Sequence, residues 1–122
     1  MNKYGNRKAT INNMVFDSRK EARRYSELLL LQKAGQISDL QTQVPFELIP
    51  AQYETIERYG KKGQRLKDGK RCIEKAVIYR ADFVYNENGQ TVVEDTKGFK
   101  TKDYILKRKM MLYIHGIRIK EV

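Results

Sequence analysis

The dipeptide Asn88-Gly89, flanked on both sides by β-prone apolar runs, constrains this chain more tightly than any other feature. Asn and Gly tolerate the positive φ angles of a tight hairpin turn, so strands are predicted on either side, over about 73–85 and 91–97. With two residues in the turn, Glu87 faces Gln90 and the ladder carries Asp82 directly opposite Asp95. A four-residue loop leaves the two aspartates on the same face as diagonal neighbours. A three-residue bulged turn sets Glu94 opposite Asp82 instead. Side chains alternate along a strand, so Lys97 shares the face of Asp95.

Like charges facing each other destabilise a sheet unless something offsets them. Acids are also depleted in strands, yet these sit among Ala81, Phe83, Val84, Val92 and Val93. A divalent cation is the natural compensator, because Mg²⁺ prefers oxygen ligands and often takes only one or two carboxylates. Lys97 then stands ready to orient or activate an attacking water, or to stabilise charge on a phosphate. Glu94 is the rival ligand to Asp95. The bland alternative is a solvated acid pair with a local lysine partner, which their apolar neighbours oppose.

Elsewhere, Ser18 with Glu21 three residues on makes a capping box. Ala22, Tyr25, Leu28 and Leu29 recur at helical spacing up to a stop at Gly35, predicting a helix over about 18–34. Ile37 to Ile56 reads as extended, with Val44-Pro45-Phe46-Glu47-Leu48-Ile49 as its β-prone run and Pro45 placing it at a sheet edge or a strand start. Gly60, Gly63 and Gly69 interrupt a basic stretch that reads as a loop over 58–70. Thr101 or Asp103 caps a second helix over about 102–114, with Ile105, Leu106, Met110 and Tyr113 on its apolar side and Gly116 ending it. Ile117-Arg118-Ile119-Lys120 alternates as a last strand. Residues 1–15 read as a flexible basic arm and 16–122 as a single domain, since no linker or repeat divides the chain. The predicted class is mixed α/β (α+β) in the order αβββαβ, with helices packed on a mixed central sheet.

Across 122 residues, 25 Lys and Arg face 15 Asp and Glu, a net charge of +10. Such a surplus favours polyanions, nucleic acid first, because neutralising phosphates releases counterions. An anionic membrane ranks second, and no basic amphipathic helix supports it. The positive charge gathers at 58–75 and 97–109. Lys61, Lys62 and Arg65, with Lys100, Lys102 and Lys107 close behind Lys97, are the candidate nucleic-acid contacts, and Tyr59 is available to stack on a base. No apolar run approaches the ~18–20 residues of a membrane span, and Met1-Asn2-Lys3-Tyr4-Gly5-Asn6 lacks an apolar signal core. One cysteine, Cys72, and one histidine, His115, give no disulfide, thiolate zinc site or Ser/His triad to expect. Both read as packing or surface residues. A cytoplasmic protein without a small-molecule cofactor or membrane partner is expected.

Tyr79-Arg80-Ala81-Asp82-Phe83, followed by Val92-Val93-Glu94-Asp95-Thr96-Lys97-Gly98, resembles the metal-dependent PD-(D/E)XK nuclease superfamily. Asp82 matches the aspartate of the first motif, with Ala81 where a proline often stands, and Asp95-Thr96-Lys97 matches the acid-x-Lys motif. Phe16-Asp17-Ser18-Arg19-Lys20-Glu21-Ala22 looks like the helical glutamate motif of several branches. The element order is also similar, so the resemblance spans nearly the whole chain from Phe16. Within the superfamily it looks like a small phage group related to Holliday-junction resolvases and to the endonuclease subunit of some transposases. The resemblance implies a restriction-endonuclease-like core and hydrolysis of DNA phosphodiester bonds, branched DNA included, in a bacterial or phage-infected cell. It also implies that Asp82 and Asp95 hold one or two Mg²⁺ or Mn²⁺ ions. Glu21 and the Thr96 carbonyl would add oxygen ligands, and Lys97 would assist the water. Cutting both strands with so small a body calls for two copies, so a homodimer is expected. The competing readings are a non-catalytic DNA-binding module, a nuclease subunit of a larger complex, and an RNA-binding protein or RNase. An intact acid-x-Lys motif separates a nuclease from the first of these.

Overall fold

The computed structural model describes residues 8–11 and 14–122. In chain order it contains β1 (Ala9–Ile11), β2 (Met14–Phe16), α1 (Arg19–Lys33), β3 (Ser38–Ile49), β4 (Gln52–Tyr59), β5 (Arg65–Glu74), β6 (Val77–Glu87), β7 (Gln90–Asp95), α2 (Lys102–His115) and β8 (Lys120–Glu121). Four strands build the body in the order β3-β6-β7-β8. The first three pair antiparallel and β8 joins β7 in parallel, so the sheet is mixed. The β1–β2 and β4–β5 hairpins form separate two-stranded sheets. Setting them aside, the body runs αβββαβ as expected. β3 lies at the sheet edge, where Pro45 leaves no central ladder bond unmade. No helix among the described residues is long and apolar enough to cross a membrane.

Both helices start and stop on local chemistry. Ser18 accepts the N–H of Glu21 at the head of α1, and Gly35 beyond its end takes φ 77°. Thr101, not Asp103, caps α2 by accepting the N–H of Tyr104, and Gly116 closes it in the left-handed conformation. Ala22, Tyr25 and Leu28 of α1 pack with Phe16, Ile37, Phe83 and Tyr85 into one core. Tyr104 and Met111 of α2 pack with Leu48, Tyr79, Ala81, Val93 and Ile119 into a second.

The buried stripe of α2 differs from the predicted one. Ile105 and Met110 are half-buried, but Leu106 is 58% and Tyr113 91% exposed. Apolar side chains surround this helix, so periodicity alone cannot choose its inner face. Tyr104 is buried there because its hydroxyl finds the Glu121 carboxylate at 2.9 Å.

Two stretches expected to be irregular are strands. β1 and all of β2 but Phe16 fall within the predicted N-terminal arm, and Ala9, Ile11 and Met14 pack against the first core. Residues 1–7 and 12–13 of that stretch lie outside the described residues. The predicted loop at 58–70 is the end of the β4–β5 hairpin, with strand on both sides of a short turn at residues 60–64. Gly60 and Gly63 do sit in that turn. Gly69 instead lies inside β5 opposite Ile56, where a Cβ would come within 2.7 Å of Arg58 Cδ. It is a glycine of close approach beside an irregularity in the ladder between Ile56 and Arg58, and β5 runs on through it.

Candidate active site

Asn88 and Gly89 take φ 52° and 76°, and Glu87 pairs with Gln90. This is the two-residue turn, and the ladder runs unbroken to its last pair, Phe83 opposite Glu94; continuing that register sets Asp82 across from Asp95. The diagonal and bulged registers are thereby excluded. Asp82 is fixed by Thr96, whose N–H and hydroxyl donate to Asp82 Oδ2 at 2.9 and 2.8 Å. Asp95 is fully buried, and the Tyr79 hydroxyl donates to its Oδ2 at 2.5 Å. Lys97 Nζ lies 3.6 Å from Asp95 Oδ1 and 5.3 Å above the Tyr104 ring. The hairpin thus brings together the three residues that its sequence predicts. Thr96 meets Asp82 through its donors, a role that the reading of its carbonyl as a ligand did not foresee.

Glu21 joins them from the first turn of α1. Only half of its capping box forms. Its N–H caps onto Ser18, while its carboxylate accepts from Gln43 Nε2 at 2.8 Å. The same amide lies 3.4 Å from Asp82 Oδ1. Gln43 was not among the predicted site residues. It sits in β3 at φ 52°, a left-handed conformation that costs a non-glycine residue about 1–2 kcal/mol. Its neighbours Thr42 and Val44 pair with Phe83 and Ala81, so the irregularity falls across from Asp82. Strain of this kind persists where the surroundings enforce it, often at functional sites. Two variants separate backbone from amide. Gln43→Ala, which keeps the strain and loses the bonds, is expected to cost about 1–2 kcal/mol. Gln43→Gly, which relieves the strain as well, should come out nearly neutral in thermal unfolding. Equal losses in both variants would show that the backbone stores nothing.

The electrostatics are those of crowded carboxylates that the single nearby lysine, Lys97, does not fully offset. Burial and then the charge of Asp82 push the Asp95 carboxyl up to about 6, against the pull of Tyr79 and Lys97. Burial, followed by the charges of Asp82 and Asp17, raises Glu21 to about 7. Asp95 Oδ1 is buried with no hydrogen-bond donor, the Lys97 ammonium standing 3.6 Å away and too far to make one, and leaving such an atom without a hydrogen bond is expensive. Among the described residues no three His, Cys, Asp or Glu side chains group as a ready-made metal cage. Asp82 and Asp95 nevertheless fit the demands of Mg²⁺, which needs one or two carboxylate oxygens and keeps water on its other positions.

Glu94, the rival ligand, points elsewhere. It is fully buried and receives Arg24 Nε and Nη2 at 2.8 and 2.7 Å, as well as the Tyr85 hydroxyl. Adjacent strand residues project to opposite sides, so this α1-linked cluster and the Asp95 site share β7 back to back. Of the predicted phosphate contacts, Lys61 and Lys62 are exposed at the hairpin turn, and Arg65 pairs with Asp68 at 2.5 Å. Lys100 lies 3.4 Å from Glu121, Lys107 lies 3.5 Å from Asp103, and Lys102 is exposed. Such surface pairs are weak and leave a lysine free to exchange its partner for a phosphate. His115 Nε2 lies 2.7 Å from the Glu47 carbonyl and its ring packs edge-on against Phe46, while Cys72 is exposed and free.

The sheet and its two helices define a mixed α/β domain in which Asp95 of β7 pairs with Lys97, and the Gln43 amide links Glu21 of α1 to Asp82 of β6. The chain belongs to the family described as "Protein of unknown function (DUF1064)", whose model matches residues 1–120. No curated protein and no solved structure matches it.

Proposed function

We propose that this chain is a divalent-metal-dependent DNA endonuclease with a restriction-endonuclease-like core. The observation that carries the reading is Asp95 Oδ1, a buried carboxylate oxygen without a hydrogen-bond donor, beside the repelling charge of Asp82 that Lys97 at 3.6 Å does not cancel. Mg²⁺ or Mn²⁺, when bound, polarises a phosphoryl oxygen and makes a nucleophile of water. Asp82 and Asp95 would hold the ion, with Glu21 adding an oxygen from α1. Thr96 fixes the Asp82 carboxylate and Tyr79 that of Asp95, so their free oxygens need no reorganisation. Lys97 is the side chain to stabilise charge on the phosphate and to orient the attacking water. The net charge of +10 supplies attraction for DNA. A homodimer would supply the two sites that cutting both strands requires.

The test is a cleavage assay on a four-way junction and its matched linear duplex, each with Mg²⁺, Mn²⁺ or EDTA, alongside Asp95→Ala. Metal-dependent cutting is expected in the parent chain and its loss in the variant. The variant should keep or gain DNA affinity, having shed a negative charge. The junction-to-duplex ratio separates a resolvase from a general endonuclease. Tight binding without cutting on either substrate overturns the nuclease and leaves a DNA-binding module or a subunit of a larger complex.

A further inference from the structure

The β4–β5 hairpin is a ribbon of two strands paired only with each other, and a lone two-stranded ribbon is marginal in water. It continues the β3–β6 pair, leaving at Ile49 opposite Val77 and resuming at Gln52 opposite Glu74. Its two faces differ. On one, Glu54 pairs with Arg71, and Ile56 and Arg58 lie over Gly69, so this face covers itself. On the other, Tyr53, Thr55, Glu57 and Tyr59 are all exposed, with Lys70 across from Thr55 and Arg65 across from Tyr59. Tyr53 and Tyr59 are 57% and 58% exposed, and the Arg65 guanidinium stacks 5.7 Å over the Tyr59 ring. Eight basic side chains stand against four acidic ones over residues 52–75. Two of those acids, Glu54 and Asp68, are already paired within the hairpin.

We infer that this ribbon is a docking arm that enters the major groove of a DNA duplex, with its open tyrosine and lysine face toward the bases and Lys61 and Lys62 on the phosphates. The inference rests on DNA being the substrate. The major groove of B-form DNA, about 12 Å wide, admits a two-stranded ribbon as it stands, whereas the minor groove at about 6 Å must first be bent or widened. Double-stranded RNA closes off its deep, narrow major groove, so the arm selects DNA. Reach is consistent with one turn of duplex. At about 3.3 Å per residue, Asp82 is roughly 17 Å along β6 from Val77, and the eight residues of β4 add roughly 26 Å. The arm therefore covers roughly 17–43 Å from the cut, from half a turn to a little beyond one helical turn of roughly 34–36 Å.

The test uses the Asp95→Ala chain in EDTA, so that a 40-base-pair duplex survives, and dimethyl sulfate, which methylates guanine N7 in the major groove and adenine N3 in the minor groove. Protection of guanine N7 within one turn of the site cut by the parent chain is expected, together with at least tenfold weaker binding to a duplex RNA of the same sequence. Tyr53→Ala/Lys70→Ala should lose that protection, while Glu54→Ala/Arg71→Ala, which removes a pair from the covered face at no net charge, should keep it. Lys61→Ala/Lys62→Ala should lower the salt slope of binding by about 0.9 per lost phosphate contact. Unprotected guanines, equal binding to RNA, or self-association that the Tyr53→Ala/Lys70→Ala change abolishes would each overturn the arm. Cutting by the parent chain without N7 protection refutes the arm alone, whereas N7 protection without cutting refutes the nuclease and leaves the arm standing.

Discussion

Asp95→Asn is expected to melt about 5 °C or more above the parent chain in EDTA at pH 8, while losing metal-dependent cleavage. A carboxyl raised by burial and by Asp82 from 3.8 to about 6 keeps a proton that the unfolded chain has already released. Its penalty is absent below about pH 4 and grows as pH rises towards 6, reaching on the order of 3 kcal/mol at neutral pH. Glu21, moved from 4.5 to about 7, acts in the same direction. Asparagine keeps an oxygen for the Tyr79 hydroxyl and removes the charge. Part of the gain is lost with the charge-assisted bond, and what remains moves the midpoint by about 3–5 °C per kcal/mol in a domain of this size. Thermal unfolding at pH 5 and pH 8 checks this. The gap between the two chains should narrow at pH 5, and Mg²⁺ at pH 8 should stabilise the parent but not the variant. A variant that melts lower than its parent at pH 8 would make Asp95 a structural carboxylate.

What was legible in the sequence follows the range of the forces involved. Asn88-Gly89 dictates its turn locally, and the turn dictates a register, so the facing of Asp82 and Asp95 could be read without a structure. Lys97 followed from strand parity. Gln43 left no such trace, because its role depends on a positive φ within an edge strand and on two acids that arrive from distant segments. Gly69 misled for a related reason. A glycine that makes room for a cross-strand arginine and one that breaks a strand are the same letter, and only the pairing of β4 with β5 tells them apart. Tyr104 shows the same limit on a helix, since the partner that draws it inward, Glu121, lies beyond the end of that helix.

Arg24→Ala is expected to cost about 3–5 kcal/mol, the penalty for leaving a buried charge without its partner. Glu94 lies seventy residues away in the sequence, is fully buried, and depends on the two-pronged guanidinium that ties α1 to β7. Burial pushes the Glu94 carboxyl up, but the bonds from Arg24 and Tyr85 and the charges of Arg24 and Lys120 outweigh it, and the net direction is down. The sign is therefore opposite to that of Asp95. Stability from Glu94 is present above its unfolded value of 4.5 and is lost as pH falls through its lower folded value. Urea unfolding of Arg24→Ala should show the largest deficit at neutral pH and a smaller one near pH 4, where the orphaned carboxyl can take a proton. Arg24→Met/Glu94→Leu, with apolar groups of similar size, should recover most of the loss, because the pair as a whole returns little beyond its own desolvation. If the double variant stays as unstable as the single one, the ion pair itself holds the helix to the sheet. If both retain full stability, the buried glutamate has found water, and the two faces of β7 are not the separate environments described above.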